Sequence, residues 1–343
     1  MKRFAVFAAA GIFFAGFLFS CLNIVLPEIW SEGDTFRREN YRELVKENGR
    51  DFKILQLADT HIGSYFGHDF NAVEETFNMI REDIGKVNPD LLILTGDNVI
   101  ASNLVNTLWA QRLIAFLDNF HIPYIIAMGN HDGGGFFDTK NDNRRMVVAE
   151  VFASGRYSLF RQGPVNIGGT GNYGVNIVNP SRHILYSIIV MDDASEQQYF
   201  TGEQVKWYEW YVRGISAAEY GSYLPPAQVV PSMAVFHIPL PETNNARDAL
   251  AASDPGLAAD WIRESPCVTS RDTGMFQKMK DMDSTTHLLF GHDHDNMLYY
   301  QYQGIYFVYG VKTGPCSANL DRQGTTLITL KDDLSVTVEF LIH

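Results

Sequence analysis

Five short apolar runs punctuate this chain, and each ends abruptly in polar side chains. Phe52 to Leu57 leads into Ala58-Asp59-Thr60-His61, and Leu91 to Leu94 into Thr95-Gly96-Asp97-Asn98. Tyr124 to Met128 leads into Gly129-Asn130-His131-Asp132, Ala234 to Phe236 into His237, and His287 to Phe290 into Gly291-His292-Asp293-His294. Runs of this length between turn formers read as strands buried on both faces, the habit of parallel sheets. Between the first three runs the periodicity changes. Phe70, Val73, Phe77, Ile80, Ile84 and Val87 recur at spacings of three and four before Asn88-Pro89, and Val105, Leu108, Trp109, Leu113, Phe116, Leu117 and Phe120 repeat the pattern before Ile122-Pro123. Strand, helix, strand, helix, strand in that order predicts parallel strands joined by right-handed crossovers.

From Arg182 onward strands become commoner: His183 to Met191, Gly304 to Tyr309, Thr325 to Leu330 and Ser335 to Leu341. A helix over Thr201 to Tyr220 carries Trp207, Trp210 and Tyr211 and is expected to lay these aromatics on a sheet. The segment 21–50 is expected to be a tether: Pro27 to Arg50, rich in Glu, Arg, Asn and Gly, shows no strong strand pattern and reads as a tether with a short helix. Ahead of it, Met1-Lys2-Arg3 and the apolar run Phe4 to Phe19 have the form of an export signal over residues 1–20. Leu18-Phe19-Ser20-Cys21 resembles a bacterial lipobox, which points to a lipoprotein tethered at the cell envelope. An uncleaved membrane anchor is the alternative, because the apolar run continues to Leu26.

The chemistry sits where the five runs end. In open α/β sheets the carboxyl ends of parallel strands are where ligands bind. Residues two apart on extended chain point the same way, so Asp59 and His61 are expected to face one cation. One such pair is a weak signal; five strand ends bearing Asp, Asn and His are a strong one. A formal net charge of -13, from 27 basic and 40 acidic side chains, argues against duplex nucleic acid as partner. A small phosphorylated substrate remains compatible, since bound cations supply positive charge locally. Cys267 and Cys316 are either a disulfide or two separate thiols.

Together these motifs resemble the calcineurin-like metallophosphoesterase superfamily, over residues 51–343 as one domain. Phe52 to Gly63, Thr95 to Asn98, Thr273 to Phe276 and Phe290 to Asn296 look most like its purple-acid-phosphatase-like branch. Three residues after Asp97 that branch carries a metal-binding tyrosine, and this chain has Ile100. The resemblance implies an α/β (or α+β) four-layer α/β/β/α sandwich of two facing mixed sheets flanked by helices. It also implies two divalent or mixed-valence transition-metal ions, among Mn, Fe, Zn and Co. By motif, Asp59, His61, Asp97 and His294 would hold one ion, and Asp97, Asn130, His237 and His292 the other, with one Asp97 oxygen for each. A metal-bridging hydroxide would be the nucleophile. His131 would protonate the leaving group or stabilise the transition state, with Asp132 fixing its tautomer. A phosphomonoesterase is the first expectation; a phosphodiesterase or nucleotide hydrolase, or a non-catalytic envelope-bound binding protein, are the alternatives. Gly129 and Gly133 to Gly135 would admit substrate closely, and His68 could touch it. His121, His183, His287 and His343 lack ligand spacing and are expected to be structural or exposed.

Overall fold

The structure, a computed structural model, describes residues 27–63, 70–100, 105–133, 142–195 and 197–343. The expected export signal with Cys21, and His68, Gly134 and Gly135, lie outside the described residues.

Two mixed sheets face each other. The smaller contains β2 (Phe52–Leu57), β3 (Leu91–Thr95), β4 (Tyr124–Ala127), β11 (Gly324–Leu330) and β12 (Val336–Ile342), in the order β12-β11-β2-β3-β4. Strands β2, β3 and β4 run parallel, as the alternating sequence pattern predicts. The larger has the order β1-β5-β6-β7-β8-β10-β9, from β1 (Arg42–Val45), β5 (Tyr173–Val178), β6 (Ile184–Val190), β7 (Ser232–Val235), β8 (Thr285–Phe290), β9 (Leu298–Tyr302) and β10 (Ile305–Tyr309).

Alternation along the larger sheet shows how it is sandwiched, because successive side chains of a strand face opposite sides. Met233 and Val235, like Leu289 and Val308, join the core shared with the smaller sheet. Their neighbours Ala234, Phe236, Leu288, Phe290 and Phe307 join a second core on the outer face. There α4 (Gly202–Tyr220), α5 (Glu242–Ser253), α6 (Pro255–Trp261) and α7 (Met275–Met282) contribute Trp207, Tyr211, Leu250, Ala258 and Met279. On the other side, α1 (Phe70–Val87), α2 (Asn106–Asp118) and α3 (Asp142–Ala153) cover the smaller sheet with Phe77, Ile80, Leu113 and Phe152. Helix, sheet, sheet and helix form the four expected layers.

Local chemistry sets the ends of these helices. Thr201 and Gln204 form a reciprocal capping box at the start of α4, and Gly221 closes it in the left-handed conformation. Helix α1 stops where Asn88 turns left-handed ahead of Pro89. One expectation needs correcting. The tether assigned to residues 21–50 holds a 3-10 turn at Arg38–Asn40, but it also holds strand β1, which pairs in parallel with β5, and Trp30 is buried. As an edge strand β1 is only partly buried, so its sequence, Arg-Glu-Leu-Val, lacks the apolar run that marks the central strands.

Candidate metal centre

All five predicted strand ends meet at one edge of the interface between the sheets. The smaller sheet brings the residues after β2, β3 and β4, and the larger brings those after β7 and β8. Backbone bonds past the ends of the strands hold the first two loops together. His61 N–H donates to Asp97 O and Ile62 N–H to Asn98 O, both at 2.9 Å. Asp59 and His61 therefore reach the same place as Asp97, though not by the expected route. The chain does not stay extended: Asp59, His61, Asp97 and His292 have φ of 52°, 44°, 48° and 87°. Left-handed backbone costs a non-glycine residue roughly 1–3 kcal/mol and persists only where surroundings over-determine it. Four such residues, of the twelve non-glycine residues with positive φ among the described ones, gather in this one site, where the fold accepts strain.

Two groups of donor atoms result, Asp59, His61 and His294 in one and Asp97, His237 and His292 in the other, and one Asp97 oxygen also lies near the first. In the first, His61 Nε2 lies 3.0 Å from His294 Nε2, 3.6 Å from Asp97 Oδ2 and 4.0 Å from Asp59 Oδ1. In the second, His237 Nε2 lies 3.1 Å from Asn130 Oδ1, 3.2 Å from His292 Nδ1 and 3.4 Å from Asp97 Oδ2. Two donors bound at about 2.1 Å to one cation sit roughly 3–4 Å apart. The distances from His61 Nε2 and from His237 Nε2 fall in that range, and the mixture of imidazole, carboxylate and amide oxygen suits first-row divalent ions. Asp97 departs from expectation here. Its Oδ1 accepts the His131 backbone N–H at 2.8 Å, so Oδ2 alone faces both groups.

Electrostatics favours a cation too. Burial pushes the Asp59 carboxyl up, with Asp97 adding to it and His237 opposing. Burial also pushes Asp97 up, but His237 and His131 outweigh this and hold it well below the usual carboxylate range. Burial drives His61 far down, His292 to about 3 and His294 to about 4, leaving neutral rings with lone pairs to offer. His237 Nδ1 lies 2.9 Å from Thr95 O, which can only accept, so Nδ1 carries a proton. Burial pushes this ring down, but Asp97 and Asp59 outweigh it and raise it to about 10, so Nε2, turned to Asp97, holds a proton that a bound cation would replace. Close approach needs two glycines. A Cβ at Gly129 would lie 1.9 Å from Asp97 N, and one at Gly96 would lie 2.4 Å from His237 Nδ1.

His131 stands beside the shared oxygen, its Nε2 3.8 Å from Asp97 Oδ2, with its side chain 19% exposed where His61 is fully buried. Asp132, expected to fix the His131 tautomer, turns away instead. Its two oxygens accept from the backbone N–H of Asn98, Val99 and Gly129 and from Asn98 Nδ2, at 2.7 to 2.9 Å. Those groups need an acceptor and the ring is not among them, so Asp132 locks the loops after β3 and β4 together. Burial, with Asp97 nearby, pushes its carboxyl up to about 7.

Sequence reasoning missed the supports. Arg145 and Asp192, both fully buried, pair at 2.7 Å, and Arg145 also donates to Gly129 O. Asp193 Oδ1 accepts the backbone N–H of His237 and Ile238. Lys312, fully buried, donates to Asp59 O, Gly314 O and Cys316 O. The Asp-Asp pair after β6 was the one signal in the chain for them, since it too is a strand ending in carboxylates. Arg145→Met is expected to cost about 3–5 kcal/mol in urea unfolding, because it leaves Asp192 charged and buried without its partner. A loss under about 1 kcal/mol would show that the pair is not holding the Gly129 loop.

The remaining histidines fall as expected. His183 pairs with Glu219, His343 with Asp83, His121 packs on Tyr157 and His287 stacks on Tyr306. Cys267 is exposed and Cys316 buried, and no disulfide joins them. A cavity of about 440 Å³ beside Trp30, Tyr41, Arg161 and Trp210 is lined by none of the converging donors.

Comparison with known proteins identifies the family. Residues 52–296 match the family described as calcineurin-like phosphoesterase. Probable inactive purple acid phosphatase 14 of Arabidopsis thaliana is 24% identical over 297 residues, covering 77% of this chain and 70% of its own length. Phosphatase DCR2 of Saccharomyces cerevisiae is 25% identical over 264 residues, covering 71% of this chain and 44% of its own. A dimetal phosphatase from Danio rerio shares the fold, with a TM-score of 0.52 at 10% identity over 84% of this chain and 95% of its own. With residues 52–296, most of its length, matched to that family, the chain belongs to the calcineurin-like phosphoesterase family.

Proposed function

We propose that this chain hydrolyses phosphate esters at a site of two metal ions, one held by Asp59, His61, Asp97 and His294 and the other by Asp97, Asn130, His237 and His292. The observation that carries the reading is the single oxygen, Asp97 Oδ2, lying 3.6 Å from His61 Nε2 and 3.4 Å from His237 Nε2. That placement lets one carboxylate oxygen serve both groups of donors at once. When bound, two such ions acidify water and offset the charge of a phosphoryl group, which matters in a chain of net charge -13.

The protein's own part is to orient and to move a proton. Thr95 O and the His131 N–H aim His237 and Asp97. His131, partly exposed at the mouth, is placed to hydrogen-bond a phosphoryl oxygen or to protonate the departing alkoxide. The Arabidopsis relatives carry the word inactive in their names; the reading for this chain rests on its own donor set, in which every expected Asp, Asn and His is present. The experiment is metal analysis of the purified protein, followed by hydrolysis of chromogenic mono- and diesters with Mn, Fe, Zn or Co added singly. Two ions per chain and metal-dependent turnover are expected, and the preferred ester class names the substrate type. One ion or none, with no turnover under any metal, would overturn the reading.

A further inference from the structure

A third group of donors adjoins the site. Cys267, His292 and Asp293 each offer one atom, and these atoms all lie within 4.8 Å of one another. The arrangement is built in rather than casual. Cys267 N–H donates to Asp293 Oδ2 at 2.9 Å, and Asn296 Oδ1 accepts from the backbone of Arg263 and Glu264 at 3.0 Å, so this loop is tied down over the β8 end. Asp293 and Glu264 act electrostatically on the sulfur, and two carboxylates beside a thiol attract a cation. Cys267 is exposed, which leaves its side chain room to turn onto one.

We propose that Cys267, His292 and Asp293 form an inhibitory site for a thiophilic divalent cation such as Zn²⁺ or Cd²⁺. Binding forms a sulfur–cation bond and releases the thiol proton to solvent. The inhibition follows from His292, which also belongs to the group around Asp97 and His237; on this point the inference rests on the function proposed above. A neutral imidazole has one nitrogen lone pair to give, its other nitrogen carrying the proton. A cation held by Cys267 therefore takes His292 from the dinuclear site. Thiolate selects soft and borderline ions over Mn²⁺, so the same protein would be activated by a harder ion and shut by excess of a softer one.

The test uses the Mn²⁺-loaded protein and Cys267→Ser, a change at an exposed position. During titration with Cd²⁺, the wild type is expected to gain an ultraviolet sulfur-to-cadmium absorption, saturating with one ion per chain, while ester hydrolysis falls in step. The variant, whose other cysteines are unchanged, should lack that increment, and half-inhibition should need at least about tenfold more Cd²⁺, the lower end of what losing a partner of a metal site costs. Equal absorption in both proteins would overturn the site. Absorption in the wild type without loss of hydrolysis would overturn the competition for His292. Because absorption is read without turnover, it stays decisive even if no ester is hydrolysed.

Discussion

Asp97→Asn is expected to lose both metal ions and essentially all turnover together. The reason lies in how the carboxylate is held. Oδ1 accepts the His131 N–H at 2.8 Å, so an asparagine here is oriented with its carbonyl oxygen toward that donor. Its NH₂ group then takes the place of Oδ2, where it has no lone pair to give and points N–H bonds at two cation positions. The loss in metal affinity should exceed the ~10–100-fold that changing an outer partner costs. Elemental analysis after dialysis, beside circular dichroism to show that the fold is kept, measures it. Two ions and normal turnover in this variant would end the assignment of Asp97 as the shared residue.

His131→Asn should behave in the opposite way, because holding a cation and moving a proton are different tasks. The contact that positions Asp97 comes from the His131 backbone, which the substitution leaves in place. Both ions should stay while turnover falls by about 10²–10⁴-fold, the usual worth of a general acid. The loss should be greatest for esters of poor alkoxide leaving groups and least for an activated nitrophenyl ester, which needs little protonation. A uniform loss would assign His131 to the charge on the phosphoryl oxygens. Should His131→Asn shed metal as readily as His237→Asn, the residue is a ligand or scaffold and not an acid.

Much of this site is legible in the amino-acid sequence, because its chemistry is coupled to short-range patterns. A strand buried on both faces must be apolar throughout, so Leu91 to Leu94 and Tyr124 to Met128 announce themselves, and whatever follows them stands at the sheet's carboxyl edge. Helices α1 and α2 are legible for a similar reason: one buried face imposes a spacing of three and four. Strand β1 is not, since an edge strand buries little and its sequence is under no such demand.

The sequence by itself determined which residue types arrive at the sheet edge and in what order. Only the tertiary structure decided which atoms they present. Asp132 follows His131 directly yet serves the amides of Asn98, Val99 and Gly129, because a buried N–H group left without an acceptor costs its full desolvation penalty. Asp97 offers one oxygen rather than two because a backbone amide 34 residues away claims the other. Arg145 meets Asp192 across 47 residues and Lys312 reaches Asp59 O across 253. Contacts over such separations are set by how layers close on each other, and no local spacing encodes them.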